Sequence, residues 1–318
     1  MGSRSEDEPK EQAGSPDGYE KFAQMTGVFC IAAKSTTEAV DSTLNLSSSK
    51  RYLMLKPTEQ EELGRIKLKL LNLLGERSNY RVLQGPFSGL RLLRKQYWGG
   101  TDLTSKILGS YEKEVQEELV GFSKAGKKVL VNIGAADGYF AIGVLYSQLF
   151  ERAVIYERAE GARENLLQGM ELNSVKQNQF VLHGDATSDT LRHIGETAEI
   201  DPSHFLFLID IEGGEYELID RDFIAQFGAA SLIVEIHTRS VMDKNDPDFD
   251  AVGIDLGKKY DEFEKLVIKH WKLKKIYRQN FRFTNLLPEL KDFSDDERLL
   301  LLSENRSSCG EWWVMTPF

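Results

Sequence analysis

The segment VLVNIGAADGYF, residues 129–140, constrains the fold of this chain more than any other feature. An apolar run leads directly into a tight glycine turn, and a helical pattern follows the turn. Gly134 lets the backbone approach a ligand closely, and Gly138 opens a helix whose free N–H groups face the strand ends. The segment therefore predicts the strand–turn–helix unit at which open α/β sheets bind ligands.

Short apolar runs alternate with helical segments from about residue 126 onwards. Runs such as LFLIDI and LIVEI lack polar alternation, which is typical of strands covered by helices on both faces. We therefore predict an α/β fold with a doubly wound, mostly parallel sheet of seven strands. The seven predicted strands are KVLVNI, AVIYE, QFVLHG, HFLFLIDI, SLIVEIH, WKLKKIYR and EWWVMTP.

The N-terminal part of the chain has a different character. Residues 1–50 are largely polar and are predicted to be disordered or loosely ordered. Residues 51–125 are predicted to form a helical and β-hairpin cap, because a helical pattern precedes the hairpin-like RVLQGPFSGLRLL and the helix-like SYEKEVQEELVGF. Residues 126–318 form the predicted sheet domain.

Charge and cysteine content restrict the partners and the compartment. Fifty acidic residues against forty basic ones give a formal net charge of -10, which would repel a phosphate backbone, so no nucleic-acid partner is expected. The apolar run 28–33 is too short to cross a membrane, and no membrane association is expected. Cys30 and Cys309 form no disulfide or zinc pattern, which favours the cytoplasm. Whether the chain forms a homo-oligomer stays an open question.

Three nucleotide-binding patterns compete for the glycine turn. The dinucleotide pattern GxGxxG would need glycines at Ala136 and Tyr139, and the phosphate loop GxxxxGK[ST] is absent. The pattern of S-adenosylmethionine-dependent methyltransferases, an acidic or amide residue followed by small residues in G-x-G-x-G, fits as Asn132, Gly134, Ala136 and Gly138. The alternative is a helix-capping turn that binds no ligand.

Carboxylates after the next two predicted strands strengthen the methyl-donor interpretation. Glu157 can accept hydrogen bonds from both hydroxyls of a ribose, and Asp185 in HGDAT can accept from the amino group of an adenine. Glu112 in GSYEKE is a weaker candidate, because Ser110 at an ordinary helix start explains that segment as well. The predicted donor-binding residues are Asn132, Gly134, Ala135, Ala136, Asp137, Gly138, Tyr139, Glu157, Asp185, Ala186, Asp210 and Glu112.

Five blocks of the chain resemble, in order, those of the FkbM-type methyltransferases. They are VNIGAADGYFAIG, IYERAEGARENLLQGMELN, HGDAT, LIDIEGGEYELI and LIVEIH, within a match over roughly residues 80–318. The resemblance implies a seven-stranded methyltransferase fold whose last strand lies antiparallel between the fifth and the sixth. It also implies S-adenosylmethionine as cofactor and O-methylation of a hydroxyl on a sugar, glycan or natural product. Asn132 stands where many relatives carry an aspartate, so it can accept a hydrogen bond there but brings no negative charge.

Candidate catalytic groups lie at the ends of the fourth and fifth predicted strands. They are Asp210, Glu212, Glu235 and His237, and we expect His237 to be the general base, oriented by a carboxylate. A divalent cation held by Asp210, Glu235 and His237 is the alternative, not favoured at this point. Glu215 is a further candidate, or it stabilises a helix N-terminus.

Two other functions stay open. One is methylation of nitrogen or of a protein, although DIEGGE stands where nitrogen methyltransferases carry an aromatic–proline motif. The other is a binding module that keeps the fold without catalysis. The expected partner in the leading interpretation is a small-molecule or glycan acceptor.

Overall fold

The computed structural model describes residues 57–98, 102–187, 191, 194, 201–237, 259–277, 287–302 and 311–318. The predicted disordered segment 1–50 and both cysteines lie outside these ranges. Backbone proximity divides the chain into Met1–Glu62 and Leu63–Phe318, and the second unit contains the whole sheet. Within the described ranges, every helix is too short or too polar to span a membrane.

Seven strands form one sheet in the order β3-β2-β1-β4-β5-β7-β6. The first five strands are mutually parallel, and β7 runs antiparallel to both β5 and β6. The predicted α/β fold is therefore confirmed, including the antiparallel last strand between the fifth and the sixth. The strands are β1 Val129–Ile133, β2 Arg152–Tyr156, β3 Phe180–His183, β4 Phe205–Ile209, β5 Ser231–Ile236, β6 Trp271–Tyr277 and β7 Glu311–Pro317.

Helices cover both faces of this sheet. On one face Leu130 and Leu208 belong to a core cluster that includes Leu166, whereas on the other face Phe207 belongs to a cluster that includes Phe223. Burial on both faces explains why the central strands are apolar without alternation. The helices are α1 Pro57–Ser78, α2 Leu103–Leu108, α3 Lys113–Lys124, α4 Tyr139–Tyr146, α5 Glu160–Leu172, α6 Glu215–Leu218, α7 Arg221–Phe227, α8 over 259–267 and α9 Asp295–Leu302.

The predicted β-hairpin is reduced to a single antiparallel bridge between Arg81 and Arg91. Val82 and Leu90 share a backbone hydrogen bond of 2.8 Å, but no ladder continues from it within this segment. Val82, Phe87 and Leu90 are all buried in the sheet-face cluster that also contains α4 side chains. The apolar residues of this segment therefore pack into the main core instead of lining one face of a separate ribbon.

The strand order reverses between β1 and β4, which lie side by side in the middle of the sheet. Ligands of open α/β sheets bind beyond the carboxyl ends of the strands at such a switch point. The loop after β1 begins at Gly134, and the turn after β4 begins at Asp210. The two sequence segments singled out above therefore meet at one crevice.

Candidate active site

In the loop after β1, every second residue from 134 to 138 has a left-handed backbone conformation. The φ angles are 78° at Gly134, 48° at Ala136 and 84° at Gly138. L-residues adopt this region at a cost of roughly 1–2 kcal/mol, which glycine avoids. The spacing of small residues that identified the loop thus reflects its backbone conformation, with alanine accepting strain at the middle position.

Gly134 is required by the sheet, which differs from the reason that the sequence suggested. A Cβ at this position would overlap the carbonyl oxygen of Asp210. The close approach in the structure is therefore to the backbone at the end of β4, and the contact of Gly134 with a ligand stays a prediction. Gly138 begins α4 as predicted, and a Cβ there would meet Leu166 Cγ at 2.7 Å.

Glu157 follows β2 directly and faces the glycine loop. Its carboxylate accepts hydrogen bonds from the backbone N–H groups of Ala136 and Ala159, each at 2.7 Å. The side chain is 7% exposed. Each carboxylate oxygen has two acceptor positions, so both oxygens keep capacity for ligand hydroxyls. The crevice and this carboxylate are brought together as predicted, and the ribose contact itself stays a prediction.

Asn132 is buried at the end of β1, with 2% of its surface exposed. Its Nδ2 donates to the carbonyl oxygen of Leu208 at 3.3 Å. Its Oδ1 has no hydrogen-bond partner among the described residues. A buried acceptor without a donor costs about 1–3 kcal/mol, so this oxygen is suited to a ligand that brings an N–H group.

Gln116 of α3 is a polar residue that sequence reasoning missed. Its Nε2 donates to the carbonyl oxygen of Tyr111 at 2.6 Å, and its fully buried Oε1 likewise has no partner in the described part of the chain. The available signal was a glutamine between the buried positions Val115 and Leu119. That pattern does not distinguish a buried amide from a surface one.

Asp137 supplies backbone to the loop, while its carboxylate binds a segment upstream of the sheet. The carboxylate accepts from Tyr97 N at 2.7 Å, from Trp98 N at 2.8 Å and from Asn165 Nδ2 at 2.8 Å. Asn165 also donates to the carbonyl oxygen of Lys95. The side chain predicted to contact the donor therefore ties residues 95–98 to the start of α4.

Tyr139 and Ala135 of the predicted donor set point their side chains into the core. The Tyr139 ring lies 5.4 Å from both Phe87 and Tyr111, measured between centroids. The N–H of Ala135 donates to the carbonyl oxygen of Tyr156 at 3.1 Å. Both residues hold the loop in place.

Three further members of the predicted set lie at separate places. Glu112 is buried and takes the N-cap position of α3 with a φ of 41°, so the helix does not start from Ser110 as the alternative required. Asp185 is exposed beyond the end of β3, where the predicted adenine contact is untested. Ala186 packs against the core cluster that contains Tyr156.

His237 follows β5 directly and is surrounded by carboxylates. We call His237, Asp210, Glu212 and Glu235 the His237 cluster. His237 Nε2 lies 3.2 Å from Glu212 Oε2, 3.7 Å from Asp210 Oδ1 and 3.9 Å from Glu235 Oε2. The imidazole is 9% exposed. All four predicted catalytic residues therefore meet at the carboxyl ends of β4 and β5.

Strand alternation predicts that Asp210 and Glu212 share one side of an extended fourth strand, and the structure differs. β4 ends at Ile209, and Glu212 has a φ of 52° in the turn that follows. Asp210 and Glu212 thus reach His237 because the chain turns, and strand alternation plays no part.

Glu215 is fully buried and contacts His237 on the Nδ1 side of the ring, whereas the other carboxylates lie near Nε2. Its Oε1 accepts from the backbone N–H of His237 at 2.9 Å and lies 3.2 Å from His237 Nδ1, while its Oε2 accepts from Gly213 N–H at 2.9 Å. Tyr216 Oη donates to the carbonyl oxygen of His237 at 2.9 Å. Of the two alternatives for Glu215, the helix-end position is confirmed because the residue begins α6, and its contacts with His237 also bring it to the candidate site.

The protonation of His237 follows from these neighbours. Burial disfavours its charged form, but the hydrogen bond with Glu215 and the charges of Asp210, Glu215 and Glu235 outweigh burial and raise the pKa to about 9. In this arrangement the imidazole holds a proton at neutral pH. A general base must be free to take one, so the metal-free His237 base requires that this proton first leave.

The fold and the site define a Rossmann-like α/β protein with a ligand crevice at the switch point of its sheet. No protein-family model and no curated protein sequence matches the chain.

Solved structures with similar folds include the SAH-bound methyltransferase PaMTH1 of Podospora anserina. It is 13% identical, the match covers 84% of this chain and 100% of that chain, and the TM-score is 0.42. For a putative O-methyltransferase from Klebsiella pneumoniae the values are 10%, 85%, 94% and 0.40. For precorrin 8W decarboxylase of Methanobacterium thermoautotrophicum they are 14%, 64%, 90% and 0.39. Similarities with TM-scores of 0.39 to 0.42 assign no function to this chain.

Proposed function

We propose that this protein is an S-adenosylmethionine-dependent methyltransferase that acts on a hydroxyl of a sugar, glycan or natural product. The observation that carries the proposal is the buried Oδ1 of Asn132, an acceptor without a donor at the base of the glycine loop. The α-ammonium of the methyl donor brings the N–H groups that this oxygen lacks. A dinucleotide would bring phosphates to the same loop, where the dinucleotide glycine pattern is missing.

The residues around the loop divide the binding of the donor between them. Asn132 accepts from the ammonium group, and Glu157 accepts from the ribose hydroxyls with the lone pairs that Ala136 and Ala159 leave. The left-handed conformations of Gly134, Ala136 and Gly138 give the loop the tight turn that places both groups beside it. When bound, the donor supplies an electrophilic methyl group on a sulfonium sulfur.

The His237 cluster supports oxygen as the methyl acceptor. A neutral hydroxyl loses its proton as its oxygen attacks, so a group able to receive or displace that proton must lie beside the donor. The cluster lies at the carboxyl ends of β4 and β5, and the end of β4 touches the loop at Gly134. Glu212, 60% exposed, is the member of the cluster most accessible to an acceptor from solvent.

Calorimetric titration tests donor binding. Wild-type protein is expected to bind S-adenosylmethionine and S-adenosylhomocysteine, and Asn132→Leu is expected to weaken both by about tenfold to a hundredfold, the equivalent of 1–3 kcal/mol. Asn178→Leu, at an exposed position before β3, is the matched control and should bind as wild type. Binding of a nicotinamide dinucleotide in place of both ligands would refute the proposal.

Turnover tests the acceptor class. Release of S-adenosylhomocysteine is measured with panels of sugars, glycans and hydroxylated natural products, and with amines and proteins as the competing acceptors. Activity on hydroxyl acceptors that falls in His237→Ala and Glu212→Gln supports O-methylation. Activity confined to amines or proteins would refute the acceptor assignment, and tight donor binding without turnover on any panel would favour a binding module.

A further inference from the structure

We propose that the His237 cluster is a binding site for a divalent cation, with Asp210, Glu212 and His237 as ligands and Glu235 beside them. This inference deepens the proposed function because the cluster lies where the acceptor hydroxyl is expected. The binding of the cation is nevertheless a separate property, measurable without a methyl donor.

The first support is the convergence of ligand atoms from two neighbouring strand ends. One ligand atom from each of Asp210, Glu212 and His237 lies within 4.8 Å of the others. Ligands about 2.1 Å from one ion stand about 3–4 Å apart around it. The separations of 3.2 Å and 3.7 Å from His237 Nε2 to Glu212 and Asp210 lie in that interval.

The second support is the burial of carboxylate atoms that face the imidazole. Asp210 Oδ1 and Glu235 Oε2 lie 3.7 Å and 3.9 Å from His237 Nε2, and each exposes less than 1 Å² to solvent. Charged oxygen atoms that water reaches poorly are stabilised most by a nearby cation. A divalent cation beside Nε2 would contact these atoms directly.

The third support is the orientation of the imidazole. Glu215 lies 3.2 Å from His237 Nδ1 and accepts the His237 backbone N–H, which turns Nε2 toward the other carboxylates. A carboxylate behind one ring nitrogen, with the other nitrogen facing the ion, is the usual arrangement around a metal-bound histidine. Glu215 is therefore a positioning residue for the site, while Nε2 supplies the ligand atom.

The donor set indicates the class of cation. Two carboxylate oxygens and one imidazole nitrogen suit ions that accept mixed oxygen and nitrogen ligands, such as Mn²⁺, and also the oxygen-preferring Mg²⁺. Glu212 is 60% exposed, so one side of the site opens to solvent. Water or the hydroxyl of an acceptor can complete the coordination from that side, where the ion would lower the pKa of a bound hydroxyl.

The experiment uses the full chain freed of metal with EDTA and then titrated with Mn²⁺. Electron paramagnetic resonance and calorimetry are expected to show one bound ion, and pulsed measurements should show a ¹⁴N coupling from the imidazole. His237→Gln should abolish that coupling, and Asp210→Asn should weaken binding by more than about tenfold. Glu217→Gln, on the same short helix as Glu215 but 80% exposed, is the matched control and should leave both unchanged.

Two outcomes overturn the cation site. One is a dissociation constant for Mn²⁺ and Mg²⁺ above about 1 mM in the wild type. The other is that the wild-type protein binds Mn²⁺ but shows no ¹⁴N coupling, which would place the ion away from His237. Titration of S-adenosylmethionine in EDTA separates the two proposals: donor binding without Mn²⁺ binding refutes only the cation site, whereas Mn²⁺ binding without donor binding refutes only the methyltransferase.

Discussion

Replacing Glu215 by alanine is expected to lower the free energy of unfolding by about 3–5 kcal/mol, the range for removing one partner of a buried charged pair. Glu215 is fully buried, and its two oxygens accept from Gly213 N–H and His237 N–H and contact His237 Nδ1. Truncation would leave two backbone donors and one imidazole nitrogen without this acceptor, in a place that water reaches poorly.

Glutamine at the same position separates charge from shape. Its amide keeps one acceptor oxygen and turns the other into a donor, so either Gly213 or His237 would face an N–H group. We expect a loss of about 1–3 kcal/mol, the cost of one unsatisfied buried hydrogen-bonding group. Glu217→Ala is the control, because that residue is 80% exposed and pairs with Lys259 at the surface. Its effect should stay within about 0.5 kcal/mol.

Urea denaturation in EDTA, followed by circular dichroism, measures all three variants. With an m-value of roughly 3 kcal/mol/M, Glu215→Ala should move the midpoint down by about 1–2 M. The expected order of stability is wild type and Glu217→Ala, then Glu215→Gln, then Glu215→Ala. A loss below about 1 kcal/mol in Glu215→Ala, with an unchanged m-value, would show that the contacts of Glu215 do not carry the energy assigned to them.

Three further predictions concern the glycine loop. Asp137→Ala should raise amide hydrogen exchange at Tyr97 and Trp98 by at least about tenfold, because each loses a hydrogen bond to a charged acceptor; unchanged protection would contradict this. Ala136→Gly should leave the free energy of unfolding unchanged or raise it by up to about 1 kcal/mol. Glycine relieves the backbone strain at a φ of 48°, but its greater entropy in the unfolded chain offsets part of that gain. A clear loss of stability in urea denaturation would count against backbone strain at this position. Gly134→Ala should cost about 2 kcal/mol or more and abolish donor binding by calorimetry, because its Cβ would overlap backbone at the end of β4; wild-type stability would refute that geometry.

The strands were predictable from the sequence because their physical cause is local. Phe207 and Leu208 face opposite sides of the sheet and both are buried. The uninterrupted apolar run FLFLI therefore indicates, by its composition alone, that both faces of this strand are covered. The place of β7 was different. Its antiparallel position between β5 and β6 came from the family resemblance, because a strand's own residues do not specify its neighbours.

The candidate site was predictable only as far as strand ends specify it. Glu235 lies near the end of β5 and His237 follows that strand. Parallel strands place their ends on one edge, so the meeting of these two residues with Asp210 could be expected. The contact of Asp137 with Tyr97 and Trp98 joins parts of the chain that no local pattern relates. The burial of Glu215 likewise depends on how the turn after β4 folds back over β5.

The overlap that a side chain at Gly134 would create with Asp210 has a consequence for the whole crevice. Loop and cluster abut through the main chain of Gly134 and Asp210, and the nearest side-chain atom to a Cβ on Gly134 would be Ile211 Cγ2 at 3.0 Å. The distance from the loop to the imidazole of His237 is consequently set by the spacing of β1, β4 and β5. Substitutions can change the side chains that line this crevice, and so change what enters it. The width of the crevice is set by the distance between neighbouring strands.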